Sequence, residues 1–368
     1  MDMNMEEHME KSSEEVGSED SDTLTRIFPI SELEAHTDSV CSVHFHPTNP
    51  EVFVTGGVDD KAFFFHNDDY TELAFHTDTI VQARFSNDGE YLALASMDSK
   101  VSIWQISSLD EPIATLEGPS DEILNIEWHP KGPVIAVSSG DQSIWVWHIR
   151  KNTPLAVLYG HPINMCRISP NGRYLYSGGK DGSVKVWDMK EENYSERPSE
   201  CTFSGRDFHQ EEIVSIVMYQ DNNVILSGGR DGCVCLANRA GNRILTKIQA
   251  FEDSVEAVDF CKEMSLFLAG GMTGEIKIYE LESLQCRVTI SMGSGIVKAI
   301  WVGIEVVAST VEGKLKCYDG RNGNGLRKWI GHEETILDFD IKHDKIISGS
   351  DDQRILIHPY RFVPQQIS

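Results

Sequence analysis

The residues best suited to chemistry in this sequence are histidine–aspartate pairs. The stretch "GGKDGSVKVWD" (178–188) places Asp181 ahead of Trp187, and His161 lies upstream in "YGHP". A His/Asp pair can serve general acid–base catalysis, the carboxylate orienting the ring and stabilising its charged form. The pairing recurs, however, as His36/Asp59, His76/Asp98, His209/Asp231 and His332/Asp352. A catalytic pair occurs once, whereas a structural pair repeats. The expectation is a repeated clasp in which the Asp accepts from the His and the His orients a Trp such as Trp104 or Trp187. G-x-S-x-G, H-E-x-x-H and G-x-x-x-x-G-K-[ST] motifs are absent. His44 and His46 alternate on one strand but find no further ligands in the sequence. Cys233 and Cys235 read as core packing. The expectation is a protein that is not an enzyme, with no catalytic residue, metal or cofactor.

The clasps must be positioned by repeated elements. "GGKDGSVKVWD" has seven further counterparts, from "GGVDDKAFFFH" (56–66) and "ASMDSKVSIWQ" (95–105) to "GSDDQRILIHP" (349–359). Their Trp-equivalent positions are Phe65, Trp104, Trp147, Trp187, Ala237, Tyr279, Tyr318 and His358, about 40 residues apart. Short period-2 strands such as "VSIW" and "SVKVW" alternate with turns such as "SNDGE" and "SPNGR". One such sheet cannot bury both faces alone, but radial stacking does so. The period, with its Gly-His and Trp-Asp landmarks, resembles WD repeats. The fold class expected is therefore all-β, an eight-bladed WD-repeat β-propeller over 24–362. Seven copies find a following fourth strand. The eighth lacks one, and "TRIFPIS" (25–31) is available, so pairing of the N- and C-terminal strands is expected to close the ring.

Charge bounds the partners. The formal net charge is −26. Residues 1–23 hold nine acids and one lysine, eight of those net negative charges; the other eighteen belong to the body. The leader is expected to be a disordered acidic tail, and 363–368 a C-terminal tail. Anionic membranes and nucleic acid would repel the chain, so neither direct nucleic-acid binding nor membrane insertion is expected. The eight scattered cysteines, the lack of a basic-then-apolar leader and the lack of a long apolar run suit a cytoplasmic protein, extending to the nucleus. The Asn193-Tyr194-Ser195 sequon then stays idle. Ser12 and Ser18 sit among acids.

The informative positions follow each His-equivalent site, in loops expected at the top rim. They are Asp38, Asp78, Asp121, Glu122, Glu211, Glu212, Glu252, Asp253, Glu256, Glu333 and Glu334, with Asp351 before the turn Asp of blade 8. Few cations join them, chiefly Lys180 and Arg230. Such a rim suits a Lys/Arg-rich segment through charge-assisted hydrogen bonds and steering. A scaffold or adaptor working through apolar positions such as Met97, Met272 and Val311 is the other reading.

"VTGGVDDKAF" (54–63), "WHPKGPVIAV" (128–137), "GHEETILDF" (331–339) and the acidic leader resemble the angio-associated migratory cell protein family. So does the order of degenerate repeats, with no His in blades 3 and 7 and Phe251 in its place in blade 6. The resemblance implies a non-enzymatic, mainly cytoplasmic protein. In the fungal branch it implies an assembly chaperone shielding the basic N-terminal region of a large-subunit ribosomal protein; in animal members it implies cell-migration and signalling roles. The basic client expected is thus a large-subunit ribosomal protein, held by a monomer.

Overall fold

The computed structural model describes residues 24–67, 69–190 and 199–361. The expectations for residues 1–23 and 362–368, and for the sequon, lie outside them. Eight antiparallel sheets, each with an inner, second, third and outer strand, stand around a central channel. In blade 1 these are Val40–Phe45, Val52–Gly57, Ala62–His66 and Asp69–Glu72. The second and third strands are the most apolar and are buried on both faces, as Tyr91–Ser96 and Val101–Gln105 illustrate. Eight hydrophobic clusters result, one at each interface between neighbouring blades. Trp104, for example, packs with Val54 and Phe64 of blade 1, while Ile347 and Ile355 of blade 8 join Phe53 and Phe65 of blade 1.

The ring closes as expected, with one refinement. Ser31–Leu33 supplies the missing outer strand of blade 8, pairing antiparallel with Ile355–Pro359. Thr25–Ile27 instead adds a fifth strand to blade 7, parallel to Gly325–Trp329. The segment "TRIFPIS" is thus two strands, not one. Pro29 separates them because it has no N–H to continue a ladder. Ile27 is buried with Trp329, Phe339 and Tyr360 at the interface of blades 7 and 8.

Each inner strand pairs with only one strand of its own sheet, so its other edge needs hydrogen-bond partners. Side chains of the preceding blade supply them. Asp338 and Asp340 of blade 8 accept from the N–H groups of Val43 and Phe45. Ser42 and His44 then accept from Ala83 and Phe85. Gln82 accepts from Ile126, Asn125 from Cys166, Ser215 from Val258 and Asp259 from Trp301. Asp338 also binds Lys298 at 2.8 Å and Arg84 at 3.2 Å. Burial pushes its carboxyl up, but the two cations outweigh burial and hold it at about 2.

The His/Asp pairs are clasps. His36, His76, His209 and His332 place Nδ1 2.9 Å from Asp59, Asp98, Asp231 and Asp352. The turn carboxylates also take the N–H of Thr37, Thr77, Gln210 and Glu333, fastening the loop to the turn. The structure corrects two details. The ring Nε2 meets a hydroxyl (Thr55, Ser102, Ser227 or Ser348), and among the described residues only in blade 2 does that hydroxyl continue to the indole, Trp104 donating to Ser102 at 2.9 Å. In blade 4, Ser183 stands between His161 and Asp181, at 2.8 Å and 2.7 Å. His161 and Asp181 themselves are 3.5 Å apart. The clasp also explains the second glycine of the Gly-Gly pair: a Cβ at Gly57 would lie 2.5 Å from the His36 ring.

Two predictions follow from this geometry. The turn between second and third strands holds a left-handed residue in every blade: Asp60, Ser99, Gln142, Gly182, Gly232, Gly274, Gly313 and Gln353. Where that residue has a Cβ it is strained, so Ser99→Gly, Gln142→Gly and Gln353→Gly should each stabilise the fold by up to about 1 kcal/mol in chemical denaturation. Gly182→Ala should destabilise, since its Cβ would also meet the His209 carbonyl at 2.7 Å. Second, burial lowers the pKa of His36 and His76, and lowers His161 to about 4. The unfolded chain therefore takes up protons first as pH falls below about 6.5, and stability present at neutral pH is lost toward pH 4. Calorimetry should show Tm falling between pH 7 and pH 5, with His161→Gln lowering Tm at pH 7 but flattening that slope.

Candidate partner-binding rim

The inner strands run side by side in the same direction, so all their starts lie at one rim. The turn after each second strand reaches the same rim. In every blade its first residue donates a backbone hydrogen bond to the loop entering the inner strand. These bonds are Val58 to Ser39, Met97 to Thr79, Gly140 to Glu122, Lys180 to Pro162, Arg230 to Glu212, Met272 to Ser254, Val311 to Gly295 and Asp351 to Thr335. Loop and turn are therefore one rigid unit per blade.

Most of the expected carboxylates stand on these units. Asp38, Asp78, Asp121 and Asp253 are exposed, each with one oxygen accepting from the next residue's N–H at 2.7–2.8 Å. Their own backbone thus orients them. Glu211, Glu252, Glu333 and Glu334 are exposed and carry no ion pair among the described residues. Glu122 and Asp351 are half-buried. Glu212 is half-buried and bridges to Arg230 at 2.7 Å. Glu256 departs from the expectation, lying on the inner strand Val255–Phe260 and not in the loop. It still belongs to the same field: the Arg230 guanidinium is held above its ordinary pKa by Glu212 first, with Glu256 and Glu211 adding. Cys41 reports the crowding between blades 8 and 1. Burial, then the carboxylates of Asp351, Asp38, Asp338 and Asp59, push its thiol up to about 11.

Three lysines missed by the sequence reading are spent on the loops. Lys185, Lys247 and Lys277 donate to the carbonyls of Gly160, Phe208 and Ala250. Lys277 also lies 4.8 Å over the Phe251 ring, which takes the His place in blade 6. Of the two expected rim cations, Arg230 is paired, while Lys180 is exposed with no ion pair among the described residues. The same loop-and-turn units also carry apolar side chains. Val58, Met97, Met272 and Val311 occupy equivalent turn positions and are 37–41 % exposed. At the channel mouth, Cys41, Val81, Leu124, Val214, Val297 and Leu337 are each the second residue of an inner strand and half-buried.

The other candidates are accounted for within the core. His44 accepts from Phe85, and His46 contacts the Gly89 carbonyl at 3.1 Å. Cys235 is buried with Phe208 and Ile225, where burial pushes its thiol up. Among the described residues, no group of three or more His, Cys, Asp or Glu side chains could hold a metal ion.

Comparison with known proteins agrees with this architecture. The chain is 28% identical over 343 residues to the human angio-associated migratory cell protein, covering 87% of this chain and 77% of that protein. It is 22% identical over 365 residues to the ribosome assembly protein SQT1 of Saccharomyces cerevisiae, covering 88% and 83%. The crystal structure of Chaetomium thermophilum Sqt1 bound to the N-terminus of ribosomal protein L10 superposes with a TM-score of 0.83 at 21% identity, covering 90% of this chain and 99% of that one. The computationally designed Ika8 protein superposes at 0.77 with 20% identity, so such likeness speaks for fold alone. The WD domain, G-beta repeat model matches residues 28–66, 69–105, 110–148, 152–188 and 200–238. The unmatched blades 6–8 are those carrying Tyr279, Tyr318 and His358 at the Trp position. Matched over more than half of its length, the chain belongs to the WD-domain, G-beta repeat family.

Proposed function

We propose that this protein is a non-enzymatic, cytoplasmic escort, working as a monomer and extending to the nucleus, whose acidic rim holds the basic N-terminal segment of a large-subunit ribosomal protein. The observation that carries the reading is the rim: exposed carboxylates on six of eight loop units, with the nearby cations mostly committed to the fold. Carboxylates fixed by their own backbone are pre-organised, so a basic segment binds without reordering them. The relative seen with the N-terminus of ribosomal protein L10 supports this choice of client. The exposed apolar turn residues Val58, Met97, Met272 and Val311 add a requirement, that the segment carry apolar side chains between its cations. Those positions would also serve a scaffold or adaptor role, but an acidic perimeter favours the basic client.

The test is binding of a labelled basic N-terminal peptide from a large-subunit ribosomal protein, measured at low and high salt. Reversing Glu211, Glu212, Glu333 and Glu334 to Lys should weaken it roughly 10- to 100-fold, at about 0.5 kcal/mol or more per charge. Thermal stability should change little. Affinity untouched by both the reversals and high salt would remove the rim from the account.

A further inference from the structure

The eight inner strands place their second residues around the channel mouth at the rim. Six of these are apolar: Cys41, Val81, Leu124, Val214, Val297 and Leu337. A seventh, Asn164, is turned to its neighbour, its side-chain N–H donating to the Ile213 carbonyl of blade 5 at 2.9 Å. The eighth is Glu256. It stands between Val214 of blade 5 and Val297 of blade 7 in the ring and is half-buried like them. One of its carboxylate oxygens accepts from the hydroxyl of Ser254, which is buried. Arg230 feels the Glu256 charge, but only after that of Glu212, which holds it at 2.7 Å. Glu256 itself makes no ion pair among the described residues. A carboxylate drawn partly out of water among apolar neighbours costs free energy that a positive partner recovers. Val or Leu fills the same position in five blades, so the fold does not call for a charge there.

We propose that Glu256 is the specificity-determining residue of the rim, taking the head group of one Lys or Arg side chain of the client whose methylene stem lies in the apolar ring. The proposal rests on the basic client read from the rim. It adds what the exposed carboxylates lack, a negative charge that is partly desolvated. Lys and Arg suit a mouth of this composition, since an apolar stem lies along Val and Leu side chains while its head stays charged. A side chain ending in a carboxylate is repelled, and a purely apolar one leaves Glu256 without a partner. The exposed carboxylates attract any polycation. Glu256 accepts one cation at one place in the ring, between blades 5 and 6 on one side and blade 7 on the other. Filling that place sets where along its length the segment sits on the rim.

Binding of the labelled basic N-terminal peptide of a large-subunit ribosomal protein to the full chain tests it, with each Lys and Arg of the peptide replaced in turn by norleucine. Glu256→Gln keeps an acceptor for Ser254, and Glu256→Leu matches the residue at this place in blades 3 and 8. Both should weaken binding roughly tenfold or more, chiefly through faster dissociation. Because the pair is partly desolvated, this loss should persist in high salt, whereas the loss in Glu211→Gln and Glu333→Gln should fade. One peptide position alone should lose its contribution in the Glu256→Gln background. Tm should stay level in Glu256→Gln and rise in Glu256→Leu, since a half-buried charge is removed. Affinity unchanged in both variants would overturn the proposal. So would a loss that fades with salt or is shared by every cation of the peptide, or a lower Tm alongside weaker binding. A peptide that does not bind the wild-type chain would remove the client reading too, which tells the two failures apart.

Discussion

The structure depends on satisfying the free edge of eight inner strands. Each faces a channel with half of its backbone N–H groups beyond the reach of its own sheet. An unpaired polar group there costs about 1–3 kcal/mol, and several per blade would undo the fold. Side chains such as Asp338, Ser42, Gln82, Asn125 and Ser215 remove that cost by reaching across to the next blade. Because each bond joins a set residue to a set N–H, the same contacts that satisfy the backbone also fix the register between blades. Hydrophobic packing at the eight interfaces is larger in area but less directional. It holds the ring together without deciding how far one blade slides along another.

Fixed register is what turns eight loops into a surface. A shift of one residue between blades would move a loop by about 3.3 Å along the channel axis. With the inner strands locked, the loop of each blade meets its turn at the same height, and a backbone hydrogen bond joins them in all eight. The His/Asp clasps then act on an already placed loop. This explains why blades without a His survive. Blade 3 keeps Asp141 bonded to the Ser120 N–H at 2.8 Å, and blade 6 substitutes Phe251 under Lys277. The clasp is one of several ways to fasten a loop, whereas the stitching of inner strands has no such visible substitute around most of the ring.

What could be read from the sequence follows the same division. The blade count, the closure and the structural role of His36, His76, His161, His209 and His332 were legible because the repeat averages over eight copies. The sequence could not show that Ser183 stands between His161 and Asp181, because "DGS" and "DDK" look equivalent until side chains are placed. It could not separate Thr25–Ile27 from Ser31–Leu33, since both belong to one short apolar run and only pairing assigns them to different blades. Nor could it show that Lys247 and Lys277 serve loop carbonyls, because their partners, Phe208 and Ala250, lie in the preceding loops. Glu256 was counted with the loop since a two-residue difference in strand start decides the matter.

Like charges gathered on the rim repel one another over a screening length of about 8–10 Å. Such a cluster is not what the backbone alone would choose; it is held by a ring whose register is set elsewhere, in the channel. On the proposed reading, attraction and retention fall to different residues of the rim. Its charge would steer a cationic segment and weaken with salt, while desolvation of apolar side chains would act at short range and govern how long the segment stays. Val58, Met97, Met272 and Val311 stand on the same loop-and-turn units as the carboxylates. A purely acidic ring would exchange its ligand freely with any polycation. The apolar positions would make the choice of ligand depend on the spacing of side chains, and that spacing follows the repeat of the blades.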